Sequence, residues 1–366
     1  MSLISRITNP QEFYDSTSQA MLLAPEPQYI YARLAMSALS YSFDVESNMG
    51  LLPSRAITGH GAPYAQEKDA QYILSDNLYT AAIMAVPELG KNYGEVVRLN
   101  RPKYGNSNYD TAGRELGAGV QISTNPIDIS SDTVPVTLRR YVGPFDIKTG
   151  KPGPFGIDKF ASTMSVHKLT EMVGLHMKHD YNNWLDTAIR RLLDNVDPDH
   201  IVRPRGMITD DTPATKGSYP FDASLIFEGQ KILDEANIPC FSNGQRMMIM
   251  SPTQAAQLQA DPNYQRLSNY HRDYNPLIGY SYITSIDKTD IFKSNTVSKT
   301  NNTNNIRIDY AQMFGPGMAG MGISRLPEVV PSTNDNYGEQ ALLVWISYAG
   351  FATTNPKFGV RITTSE

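Results

Sequence analysis

A single cysteine, Cys240, stands in a chain of 366 residues. It closes no internal disulfide, and neither a CxxC pair nor a Cys/His zinc pattern can be built around it. A disulfide-stapled secreted domain is therefore excluded, and the expected folding compartment is a reducing cytoplasm. Long apolar runs are also missing. The closest, ALLVWISYAGFA at 341–352, is shorter than the ~18–20 residues that span a bilayer. The opening MSLISRITNPQEFYD has no basic stretch followed by an apolar one, so no signal peptide is expected. Nor is there a basic surplus: 32 Lys and Arg face 37 Asp and Glu, a net charge of -5. Grooves that hold nucleic acid are usually basic, so any such contact here is local.

Glycine (26), proline (24), tyrosine (21) and methionine (15) are plentiful. The length suits about two domains, or one with large excursions. Hydrophobic residues make up 40% and charged residues 19%, a lean core with few charges. Together these describe a folded chain with extended, turn-rich arms rather than a compact enzyme.

Residues 1–93 look irregular, with helical stretches expected at 29–40 and 75–86, the second capped by Ser75 and stopped by Pro87. The region reads as an arm that needs neighbours, or as a small helical subdomain. Strand chemistry begins at 94–100 and returns at 132–141, where Val134, Val136 and Leu138 alternate with other residues. Pro135 suggests an edge. With the polar, Gly-rich segment between them, these make a long two-stranded ribbon. A lone ribbon is marginal in water, so it is expected to lie on a partner. The strongest helix follows, capped near Ser162 or Thr163 and ended by Pro198, about 30 residues or ~45 Å long. Its apolar stripe runs through Leu169, Met172, Val173, Tyr181, Trp184, Leu185, Ala188, Ile189, Leu192 and Leu193. Beyond it the chain is mixed: helices at 221–236 (capped by Asp222) and 253–259, strands at 246–250, 280–286, 291–292, 306–308 and 358–362, and a strand or short helix at 341–352.

Few residues suggest chemistry. His167, His176 and His179 share the long helix, and Asp180 follows; a His/His/Asp metal set is conceivable there, but no HExxH pattern supports it. Gly315, Gly317 and Gly320 formally fit GxGxxG, but Gly322 and Pro327 follow and no βαβ unit does. Gly150-Lys151 lacks the glycine of a P-loop. No catalytic triad or carboxylate pair stands out, and no cofactor is implied. Arg98, Arg101, Lys103, Arg139 and Arg140 gather on the ribbon, either to pair with acidic residues of a neighbouring subunit or as a solvated strand face.

The order of parts resembles the major capsid proteins of tailed double-stranded DNA bacteriophages, the Hong Kong 97 fold family. The segments that carry it are VPVTLRRYVGPFD (134–146), a second strand of an extended loop; 157–196, a spine helix; 221–265, with RMMIMSPTQAAQL as a strand-to-helix step; 274–297, a Gly-centred strand pair; and 338–362, closing strands. The resemblance implies an α+β fold with an N-terminal arm (1–93), an extended β-ribbon loop (94–150), a spine-helix region (151–200), a mainly peripheral domain (201–300) and a mainly axial domain with closing strands (301–366). It implies a non-enzymatic shell protein that assembles as hexamers and pentamers into an icosahedral virion head in the host cytoplasm. Portal and possible scaffolding or decoration proteins would be partners. DNA would be enclosed without sequence-specific binding, and no membrane is involved. Arg98, Arg101, Arg139, Arg140 and Tyr141 are the expected intersubunit residues. Tyr181, Trp184, Leu185, Ile189 and Leu192 are expected to pack the spine helix. An encapsulin-type nanocompartment shell and a soluble α/β enzyme are the alternatives.

Overall fold

The computed structural model describes residues 29–32, 34–36, 38, 83–87, 92, 94–100, 133–146, 151–158, 169–241, 244–265, 282–331 and 340–366. The strands β1 (Ile83–Pro87), β2 (Val96–Asn100), β3 (Thr133–Thr137), β4 (Arg139–Gly143), β5 (Phe145–Asp146), β6 (Lys151–Pro152) and β7 (Phe155–Asp158) precede the long helix α1 (Leu169–Asp194). Then come β8 (Ile201–Val202), α2 (Ala223–Glu235), β9 (Arg246–Met250), α3 (Pro252–Ala260), β10 (Tyr282–Ile286), β11 (Thr289–Lys293) and β12 (Lys299–Asn301). The chain closes with β13 (Arg307–Phe314), β14 (Ala319–Pro331), β15 (Gln340–Thr353) and β16 (Gly359–Ser365).

Two large sheets organise these elements. One has five strands in the order β1-β14-β15-β4, with β7 also on β15. The other has seven, in the order β10-β11-β9-β13-β16-β8, with β12 on β13. Residue 300 falls inside β12, so the seven-stranded sheet takes strands from both sides of it. β2 and β3 form a separate two-stranded antiparallel ribbon. α1 packs on the five-stranded sheet through β15, β14, β4 and β7, and on the seven-stranded sheet through β13.

Local chemistry explains the elements. Val173, Met177, Tyr181, Leu185, Ile189 and Leu193 recur every fourth residue on α1 and are all buried, the periodicity of one helix face. The 26 residues of α1 span about 39 Å. α2 begins at Asp222, whose side chain accepts from the Leu225 N–H. α3 begins with a capping box between Ser251 and Gln254, with Pro252 in its first turn. β9 is buried along its whole length because it lies centrally, between β11 and β13; a strand covered on both faces reads as an unbroken apolar run.

Several expectations are corrected. The helix expected at 75–86 is contradicted at its end: Ile83–Pro87 is a strand, parallel to β14, while 75–82 lie outside the described residues. Ala and Met favour helix intrinsically, but pairing with a β14 segment rich in small residues (Ala319, Gly320, Gly322) overrides that weak preference. The spine helix does not start near 157: Phe155–Asp158 is strand β7 against β15, and the helix runs from Leu169. The 341–352 segment is strand throughout. The helix expected at 29–40 forms where described, over residues 30–38, but its apolar side chains need no neighbouring subunit: Tyr29, Ile30, Tyr31, Leu34 and Ala35 are buried in the same cluster as α1. The caps at Ser162 and Thr163, the ribbon loop at 101–132, and residues 274–281 of the expected Gly-centred pair lie outside the described residues.

Candidate assembly surfaces

The ribbon rests on its own chain before it reaches anything else. Val97 and Leu99 of β2, with Val136 and Leu138, form a small second core apart from the main one. Their floor is the ribbon-facing side of the five-stranded sheet, where three glycines meet. Gly322 stands opposite Gly350 in the β14–β15 register, and Gly320 lies two residues before Gly322. A Cβ on Gly350 would lie 2.6 Å from Val136 Cγ1 and 2.8 Å from the Thr137 carbonyl oxygen. One on Gly322 would lie 3.2 Å from Val97. One on Gly320 would overlap Leu99 Cδ1 and come within 3.0 Å of Thr354. The glycines are there because the ribbon backbone comes too close for side chains. This replaces the nucleotide-loop reading of the GxGxxG segment: Gly317 takes a left-handed φ of 78°, Gly315 lies against the Pro239 carbonyl, and Gly320 belongs to the floor.

The arginines occupy different faces. On β2, Arg98 lies opposite Pro135 and points away from Val97 and Leu99. Arg139 and Arg140 are neighbours on β4 and so point to opposite sides of the sheet. Tyr141 shares the Arg139 side and packs on Trp184, with ring centroids 4.7 Å apart. That makes the Arg139 side the one facing α1, and the Arg140 side the one on which the ribbon lies. Arg98, Arg139 and Arg140 are all exposed, and none forms an ion pair within the described residues. Arg140 lies beside Tyr348 in the register, and the Arg325 guanidinium stacks 5.6 Å from that ring. Arg101 lies outside the described residues.

Tyr141 itself is half-buried, and desolvation raises its hydroxyl pKa. It belongs to an aromatic cluster with Tyr181, Trp184, Trp345 and Phe351 that joins α1 to the five-stranded sheet. Trp345 donates its indole N–H to Asp180 Oδ2 at 2.8 Å. Gly143, opposite Trp345, makes room for that ring: a Cβ there would lie 2.5 Å from the indole. Tyr181, Leu185 and Ile189 are fully buried, while Trp184 and Leu192 pack half-buried against the same core.

The histidine cluster has other surroundings. His179 Nδ1 lies 3.3 Å from the Tyr29 hydroxyl, and Asp180 serves Trp345. Among the described residues no three His, Cys, Asp or Glu side chains group as metal ligands; His167 lies outside them. No helix of the described residues is long and apolar enough to cross a membrane.

The sequence reading missed a polar row. Asn182, Asp186, Arg190 and Asp194 follow one another at i+4 along α1, and Asn182 and Asp186 are fully buried. Asp194 accepts from Ser298 Oγ and Gln312 Nε2, tying α1 to β13 and to the segment before β12. Arg190 donates to the Thr296 carbonyl at 2.6 Å. Burial raises the pKa of both Asp186 and Asp194. Only the exact four-residue spacing signalled this row, and on a long amphipathic helix such spacing usually marks a solvated face.

No protein-family model matches the chain, and no curated protein matches it in sequence. Solved structures do match. The capsid of Ralstonia phage GP4 aligns over 78% of this chain and 87% of its own, with a TM-score of 0.56 and 13% identity. The capsid of cyanophage P-SCSP1u covers 77% and 86%, with a TM-score of 0.52 at 12% identity. The capsid of cyanophage Pam1 covers 77% and 88%, with a TM-score of 0.52 at 10% identity. With its ribbon, spine helix and two sheets, this chain has the α+β fold of phage capsid proteins, the Hong Kong 97-type fold that its order of segments implies.

Proposed function

We propose that this chain is the major capsid protein of a tailed double-stranded DNA phage, a structural subunit without turnover. The observation that carries the reading is the ribbon. Its inner side is satisfied by a four-residue core on the glycine floor, while its outer side presents Val96, 46% exposed, beside Arg98. A two-stranded element of this kind gains its remaining stability from neighbours. Exposed arginines that form no ion pair among the described residues suit an intersubunit surface, since Arg is enriched at interfaces. Head-to-tail contacts that close into rings give capsomers, here hexamers and pentamers of an icosahedral head. Portal, and scaffolding or decoration proteins where used, are the remaining protein partners. The net charge of -5 favours a container that encloses DNA without gripping it, because phosphate-binding surfaces are strongly basic.

Electron microscopy of the purified protein tests this reading. Closed shells or ring-shaped capsomers are the expected result, and a lasting monomer at high concentration contradicts it. DNA in particles from infected cells fits a phage head, whereas an enzyme cargo would assign the shell to a nanocompartment instead.

A further inference from the structure

The polar row on α1 meets the N-terminal segment at one point. Asp186 Oδ1 accepts the Ala32 N–H at 3.1 Å, in the first turn of the helical stretch that begins at residue 30. Amide donors in that turn have no partner inside their own helix, so a carboxylate from another element takes the role of a cap. The segment it caps is fully packed away: Ile30, Tyr31, Ala32, Leu34 and Ala35 are all 0% exposed. Yet the junction is not fully paired. Asp186 Oδ2, both amide atoms of Asn182, the Tyr31 hydroxyl and Arg190 Nε are buried without hydrogen-bond partners. Native structures rarely leave such atoms unpaired, and an ionised carboxylate is the costliest group to leave so.

We propose that residues 29–38 form a proton-linked latch on the spine helix, docked when Asp186 carries a proton and loosened when Asp186 is ionised. A proton on Oδ2 would turn an unpaired acceptor into a donor beside Asn182, whose Oδ1 lies unpaired one turn earlier on the same helix face. Loss of that proton leaves a charge in the junction. The groups that face it are Ala32 and Tyr31 from the segment and Thr296 from the segment before β12, whose hydrogen bonds favour the ionised form but are outweighed by burial, and Arg190 from α1; Asp194 acts on Tyr31. Among the described residues the nearby cation is Arg190, already committed to the Thr296 carbonyl through one nitrogen. Asp194 adds a second negative charge along the row, and Arg361 is set against Asp194 rather than Asp186. At the start of the segment Tyr29 meets His179.

The direction follows from linkage. Burial raises the Asp186 pKa, so the docked state holds the proton more tightly than an undocked one. Docking therefore strengthens as pH falls, by up to tenfold per pH unit in the window above the ordinary carboxylate range. The latch stands independently of the shell reading, because it is a property of one folded chain.

Hydrogen–deuterium exchange of the full-length protein tests it, comparing peptides over 29–38 with the β9 peptide as reference, corrected for intrinsic exchange, from about pH 4.5 to about pH 8. In the wild type, protection of 29–38 relative to β9 is expected to fall as pH rises across that range. Asp186→Asn should keep the segment protected at every pH, and Asp194→Asn should leave the wild-type dependence in place. Equal protection at both ends in the wild type overturns the proposal. So does a dependence that survives Asp186→Asn, which would assign it to His179 or another group, or one that vanishes with Asp194→Asn. Should Asp186→Asn fail to fold, seen as lost β9 protection, the wild-type and Asp194→Asn profiles decide the matter between them.

Discussion

Alanine placed at each of the three floor glycines tests how the ribbon is held, because the structure orders the costs. At Gly350 the new methyl meets the Thr137 carbonyl oxygen at 2.8 Å and Val136 Cγ1 at 2.6 Å. A backbone atom cannot rotate away, so the ribbon must lift. Overpacking of this kind costs about 1–3 kcal/mol, set against about 0.5–1 kcal/mol gained by removing a glycine from a strand interior. At Gly320 the overlap is with Leu99 Cδ1, the end of a flexible side chain, although Thr354 also closes in to 3.0 Å; a smaller net loss follows. At Gly322 the contacts with Val97 are 3.2–3.3 Å, close enough to relieve by a few tenths of an ångström, and the change should be near neutral. Burial of Val97, Leu99, Val136 and Leu138, each at most 3% exposed, contributes on the order of 6–12 kcal/mol as an upper bound. The Gly350→Ala ribbon should therefore stay docked but displaced. Exchange protection of peptides over 96–100 and 133–138 should fall most in Gly350→Ala, with thermal denaturation reporting the global cost and microscopy reporting assembly. Unchanged ribbon protection in Gly350→Ala, or a larger loss in Gly322→Ala, would refute the glycine-floor reasoning.

Other consequences follow from the same geometry. Replacing Arg98, Arg139 and Arg140 together with Ala should move monomer stability by no more than about 0.5 kcal/mol per site, as for exposed sites generally, while weakening assembly; normal shells from the triple variant would remove these side chains from the interface. Trp345→Phe deletes the 2.8 Å donor to Asp180 and should cost about 1–3 kcal/mol in chemical denaturation, whereas an unaltered midpoint would mean that water replaces the bond fully. Asp194 has a raised pKa through burial, so its ionisation opposes folding: the stability it allows at acid pH declines as pH rises above the ordinary carboxylate range. Asp194→Asn should flatten that part of the stability–pH curve, and an unchanged slope would show that another group causes it.

How much of this was readable in the sequence depended on whether the signal was local. Alternation of Val134, Val136 and Leu138 gave β3 and the inward side of the ribbon, and the four-residue recurrence from Val173 to Leu193 gave the buried face of α1. Asp222 marked a helix start because capping is a contact within a few residues. The misses were long-range. IMAVP became a strand only because β14 lies beside it. Gly320 and Gly322 look like part of a Gly-rich loop, and Gly350 like any member of the apolar 341–352 run, until two strands and a ribbon bring them together. Asn182, Asp186, Arg190 and Asp194 resembled a solvent face, and only the N-terminal segment, β13 and the segment before β12 bury them. Arg139 and Arg140 looked like one basic cluster, but adjacency in a strand sends them to opposite faces.

The central claim is that this fold serves self-assembly. Electron microscopy of the purified full-length protein at high concentration addresses it most directly. Closed shells with six-fold and five-fold capsomers are the expected result; a uniform population of monomers under every assembly condition would contradict it.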